Sequence, residues 1–142
     1  MRVMMIVKAT DRAEAGTLPT EAHLAAMGKY NQDLQKAGVL LDLSGLRPTS
    51  AGARVRFGGG KRTVIDGPFT EAKELIAGYW IIQVKSKEEA IEWAKRIPAE
   101  VCGIGEVELR PFYELDDFVP GPALEAAKER MKKLRGNTTS NG

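Results

Sequence analysis

Two stretches of this chain, Val3–Val7 and Leu75–Val84, are apolar almost without interruption. Both are short and rich in β-branched or aromatic residues, and Tyr79-Trp80-Ile81-Ile82 is the densest part. Runs of this kind read as strands buried on both faces of a sheet. Val107-Glu108-Leu109-Arg110 alternates instead, as a strand with one wetter face does. Val39–Leu43 and Ala53–Phe57 are two further strand candidates. Gly58-Gly59-Gly60 then supplies a tight hairpin, with Thr63-Val64-Ile65 as the returning strand.

Two helices separate these strands. Thr20 is a good N-cap, and Glu21 suits the first turn. Leu24, Met27, Tyr30 or Asn31, and Leu34 follow at helical spacing, and Gly38 closes the helix. Ser86 with Glu89 forms the signature of a capping box. Ala90, Trp93, Ala94 and Ile97 line the inner face of that second helix, and Pro98 stops it. The order β-α-β, hairpin, β-α-β predicts an α+β fold, a ferredoxin-like βαββαβ sandwich with an added hairpin. Residues 1–119 form this domain. A third helix over residues 120–135 follows, with Leu124, Ala127, Met131 and Leu134 as a narrow apolar stripe. Residues 136–142 are small and polar, and read as a disordered tail.

In that topology both helices cover one face of the sheet, yet Val3–Val7 and Leu75–Val84 are apolar on both. Each large apolar side chain left in water forfeits about 1.5–3 kcal/mol. The second face therefore predicts a homodimer in which two sheets pack face to face.

Composition excludes several classes of function. The net charge is only +2, too weak a field for direct binding to nucleic acid. The C-terminal helix holds five basic residues against two acidic ones, without the aromatic interleaving of an RNA platform. No apolar run approaches the roughly 20 residues of a membrane helix, so no membrane association is expected. The single cysteine, Cys102, rules out an internal disulfide and suits a reducing cytoplasm. One His and one Cys cannot make a zinc set, and nothing calls for a metal or any other cofactor.

Gly58-Gly59-Gly60-Lys61-Arg62-Thr63 superficially resembles a phosphate loop. Val55 stands where the first glycine should be, and Arg62 where Ser or Thr should follow the lysine. His23, the only histidine, is the side-chain type that most often shuttles protons, and is a weak catalytic candidate. Asp66-Gly67-Pro68-Phe69 is the most distinctive stretch. It is turn chemistry, in which Asp66 would staple backbone N–H groups near Phe69 or Thr70. Alternatively, Asp66 is a catalytic carboxylate in a cleft, with Lys73 and Glu74 nearby to bind a ligand or move a proton. Arg54 and Arg56 share one side of their strand and could hold a carboxylate or phosphate.

The opening Met1-Arg2-Val3-Met4 strand and Asp66-Gly67-Pro68-Phe69 resemble the YCII-related family, specifically its Asp-Gly-Pro-Phe group. Thr70-Glu71-Ala72-Lys73-Glu74-Leu75, Ala77-Gly78-Tyr79-Trp80, Glu89-Ala90-Ile91-Glu92-Trp93 and Val107-Glu108-Leu109-Arg110-Pro111 continue the resemblance in order. The usual Ala-Glu-Thr-Lys-Glu after the Phe is altered here, but Glu71, Lys73 and Glu74 are kept. The resemblance implies a dimeric ferredoxin-like α/β barrel. It implies little about activity; a His–Asp pair in a cleft is suspected in YCII-like proteins, and His23 falls on no family motif. It also implies a regulatory setting, since the Asp-Gly-Pro-Phe group is often encoded beside, or fused to, extracytoplasmic-function sigma factors. Two expectations follow: a small-molecule ligand bound or converted near Asp66, or a sigma-factor-type protein partner.

Overall fold

The computed structural model describes residues 1–138. The chain divides into two compact units, Met1–Pro111 and a second that opens at Phe112. The first unit holds strands β1 (Arg2–Lys8), β2 (Leu40–Gly45), β3 (Ala53–Gly58), β4 (Lys61–Asp66), β5 (Ile76–Gln83) and β6 (Val107–Pro111). Its helices are α1 (Asp11–Glu14), α2 (Glu21–Lys36), α3 (Lys87–Lys95) and α4 (Ala99–Cys102). Four strands form one antiparallel sheet in the order β2-β5-β1-β6, and β3 and β4 form a separate hairpin. With that hairpin set aside, the element order is the βαββαβ of a ferredoxin-like sandwich.

The local signals explain these elements. Thr20 caps α2 by accepting the His23 N–H at 3.1 Å, and Gly38 follows the helix with φ +72°. Ser86 caps α3 through the Glu89 N–H, while the Glu89 carboxylate reaches back to the Lys85 N–H at 2.7 Å. Gly59 and Gly60, at φ +57° and +74°, make the two-residue turn joining β3 to β4. Two positive φ values in sequence are what a hairpin turn matched to strand twist requires. The triple glycine is therefore a hairpin and opens no helix.

Burial on β1 and β5 alternates. Val3, Met5, Trp80 and Ile82 are buried against α2 and α3, whereas Met4, Ile6, Tyr79 and Ile81 are only half-buried. One subunit thus covers only one face of the sheet, and the expectation of strands buried on both faces is not met within a single chain. Tyr30 and Leu34 of α2, Ala90 of α3, and Val39, Val84 and Ile97 just beyond the element ends complete the core. The Tyr30 hydroxyl donates to the Trp93 carbonyl at 2.8 Å, tying α2 to α3.

In the second unit, Glu114 and Asp117 cap a 3-10 turn, and Lys128 of α5 (Pro122–Thr138) pairs with Asp116 at 3.2 Å. The helix thus runs past Arg135, and the tail expected from residue 136 begins within it; residues 139–142 lie outside the described residues. No helix among the described residues is long and apolar enough to cross a membrane.

Burial pushes the Tyr30 phenol well above its ordinary value, with Arg96 opposing. The folded state therefore keeps this proton after unfolded tyrosine has lost it, at about pH 10. Its contribution to stability is intact below that pH and falls as pH rises further. Denaturant melts between pH 9 and 11 should show a steeper loss in the native protein than in Tyr30→Phe. At pH 7, Tyr30→Phe should cost about 0.5–1.5 kcal/mol for the lost hydrogen bond.

Candidate functional site

The helical spacing of α2 places His23, Met27 and Asn31 on one line, each four residues from the next. That line faces a pocket of about 370 Å³ between the helix and the sheet. Val7, Leu43, Gly78 and Trp80 contribute from the strands, Thr10 and Ala13 from around α1, and Cys102 and Ile104 from the α4 region. The lining is mostly apolar, and the volume falls in the range of small-ligand sites.

Several of its polar groups are engaged by neighbours. The Trp80 indole Nε1–H donates to Asn31 Oδ1 at 2.8 Å. Since an indole N–H can only donate, it settles which end of the Asn31 amide faces Trp80. Tyr30 packs edge-on against Trp80, with centroids 5.4 Å apart and planes at 84°. The Cys102 thiol lies 3.9 Å from the His23 carbonyl oxygen. Burial raises its pKa, so it presents a neutral sulfur wall and not an activated nucleophile. Among the described residues, no cluster of His, Cys, Asp or Glu is placed to hold a metal ion.

The structure brings only some of the sequence candidates together. His23 lines the α2 pocket, while Asp66, Lys73, Glu74, Arg54 and Arg56 do not. Arg54 and Glu74 line a separate open groove with Thr49 and Phe69. The Arg54 guanidinium sits 3.8 Å above the Phe69 ring and 3.7 Å from Glu71. Arg56, Asp66 and Lys73 are exposed. Asn31 and Trp80 were not singled out as site residues from sequence. The available signal was Asn31 falling eight residues after His23 on one helix face.

The Asp-Gly-Pro-Phe turn is held differently from the expectation. Among the described residues, none hydrogen-bonds the Asp66 carboxylate, so Asp66 is not the staple. Thr49 takes that role: its hydroxyl accepts the Phe69 N–H at 3.0 Å and donates to Glu14 Oε2 at 2.6 Å. The Thr49 N–H donates to Glu14 Oε1 at 3.1 Å. Gly67 packs so closely on this loop that a Cβ there would overlap the Thr49 carbonyl oxygen.

A model of the YCII-related domain matches residues 1–113. The chain belongs to the YCII-related family. An uncharacterised protein of Rhizobium meliloti is 37% identical over 76 residues, 54% of this chain. The chain spans 61% of that relative's length. A solved structure of 5-chloro-2-hydroxyhydroquinone dehydrochlorinase from Burkholderia phenoliruptrix, in complex with 2,5-dihydroxybenzoquinone, aligns with a TM-score of 0.45 and 13% identity. That alignment covers 80% of this YCII-related chain and 95% of the other.

Removing the staple should destabilise the protein, while removing the motif's carboxylate should not. Gly67→Ala should cost about 1–3 kcal/mol through overpacking, and Thr49→Val a similar amount through unsatisfied partners. Asp66→Ala should stay within about 0.5 kcal/mol, as exposed unbonded positions do. Chemical denaturation of the three variants checks this ordering.

Proposed function

We propose that this YCII-related chain binds a small molecule in the pocket between α2 and the sheet, with His23 positioned to exchange a proton with it. The observation that carries this reading is the convergence of His23, Met27 and Asn31 from one helix face onto an apolar cavity closed by Trp80. An apolar cavity with a few fixed polar groups and one imidazole is the pattern of small-ligand sites. The cleft in this reading lies against α2, and Asp66 of the Asp-Gly-Pro-Phe turn, the feature of its subgroup, stands outside it.

The reading includes a homodimer of the α/β-barrel kind. Met4, Ile6, Tyr79 and Ile81 form a half-buried apolar centre on the sheet face opposite the helices. Glu108 and Arg110 flank it on β6, and Asp42 and Ser44 on β2. A second copy packed sheet to sheet about a two-fold axis would remove this centre from water.

Gly45 offers a clean test of the pocket. It follows Leu43 on the same strand face and lines the cavity, and a Cβ there meets nothing within 4 Å. Gly45→Leu should therefore fold normally and fill the cavity. A ligand-observed NMR screen of small organic compounds should yield hits with the native chain, weakened at least about tenfold by Gly45→Leu. Hits that bind both proteins equally would place the site elsewhere. For the assembly, sedimentation at micromolar concentration should show a dimer, and Ile81→Asp should give monomer or aggregate.

A further inference from the structure

We infer that the pocket between α2 and the sheet selects a ligand with a bare oxygen acceptor, a carbonyl or a carboxylate, on an apolar body. This rests on the reading of that pocket as a ligand site. The inference comes from which ends of its polar groups are already used. Asn31 Oδ1 is taken by the Trp80 indole N–H. The remaining Asn31 Nδ2 group carries two hydrogens, and among the described residues nothing accepts them. Thr10 shows the same polarity: its Oγ1 accepts the Ala13 N–H at 3.2 Å as the cap of α1, which leaves the hydroxyl hydrogen to donate. The Trp80 donor is consumed within the wall. No aspartate or glutamate lines the cavity.

These two groups, the Thr10 hydroxyl and the Asn31 amide, therefore have unclaimed hydrogens to offer a ligand, while each oxygen already accepts one bond from the protein. Donors preset by neighbours, in an apolar cavity, favour an oxygen that bears or develops negative charge. An ammonium or other donor is less well matched to these two groups, since each of their oxygens is already bonded within the wall. His23 shares the line of α2 with Asn31, so a proton exchanger stands along the wall from the donor.

The test uses three single-ring probes with the full chain: acetophenone as neutral carbonyl, benzoate as carboxylate, and benzylamine as donor. Binding is read by titration calorimetry. Acetophenone or benzoate should bind at least about tenfold more tightly than benzylamine, as expected for one directed hydrogen bond gained or lost. Which of the two binds better assigns the acceptor as carbonyl or carboxylate. Asn31→Asp keeps an oxygen for the Trp80 N–H but replaces the donor with a negative acceptor, so it should reverse the preference in favour of benzylamine. Asn31→Ala frees the Trp80 N–H itself, so it should keep the preference for the oxygen probes. An unchanged preference in folded Asn31→Asp would overturn the inference, as would equal binding of all three probes to the native chain. Equal binding abolished by Gly45→Leu would leave the pocket reading standing, whereas no binding of any probe would count against both.

Discussion

The Trp80 side chain is the joint on which the first unit depends. It lies at the centre of β5, the strand paired to both β1 and β2, with its ring against Tyr30 and its nitrogen on Asn31. Sheet and helix are thus locked by an apolar contact and a directional one at the same residue. Tyr30 passes the constraint on, since its hydroxyl holds the Trp93 carbonyl of α3. Two successive contacts, β5 to α2 and α2 to α3, run through the Trp80 and Tyr30 side chains. The pocket exists because α2 is held at Tyr30, Asn31 and Leu34, while its first turns, at His23 and Leu24, stand over the open end of the sheet.

Local physics made much of this fold legible. Caps at Thr20 and Ser86, the glycine turn at Gly59-Gly60, and the helical spacing of Ala90, Trp93 and Ala94 act within a few residues of chain. Each could be read from those residues alone. The pocket was not legible, because His23, a candidate on its own chemistry alone, and Asn31 share a cavity only when Trp80 arrives from elsewhere in the chain. The same is true of the staple. Thr49 bonds Glu14 and Phe69 across sequence separations of 35 and 20 residues. No spacing rule links a threonine to a turn so far along the chain. Asp66 looked like the natural acceptor because it is local, and a better-placed hydroxyl took that place.

The two faces of the sheet divide the work in a way the unbroken apolar runs concealed. One face carries Val3, Met5, Trp80 and Ile82 into the core, where burial at about 25 cal/mol per Å² drives folding. Met4, Ile6, Tyr79 and Ile81 add nothing to that core, being half-exposed on the other side. A strand that needed only one buried face would read as alternating, as β6 does. The excess apolar character of β1 and β5 is the physical basis on which a homodimer is proposed.

The Asp-Gly-Pro-Phe turn then acquires a structural meaning that does not depend on the Asp66 carboxylate as its staple. Gly67 is required because the Thr49 loop occupies the space a side chain would need. At Phe69 the backbone N–H is received by Thr49, and the ring lies beneath Arg54. Thr49 is in turn gripped by Glu14, the last residue of the single-turn helix α1. The start of that same turn lines the α2 pocket through Thr10 and Ala13. A chain of contacts therefore runs from the motif, through Thr49 and Glu14, to one wall of the cavity. Displacing Gly67 would move the Thr49 loop, loosen Glu14 and disturb the turn that presents the Thr10 hydroxyl. On this view the most distinctive motif of the sequence is tied, through Thr49 and Glu14, to one wall of the cavity.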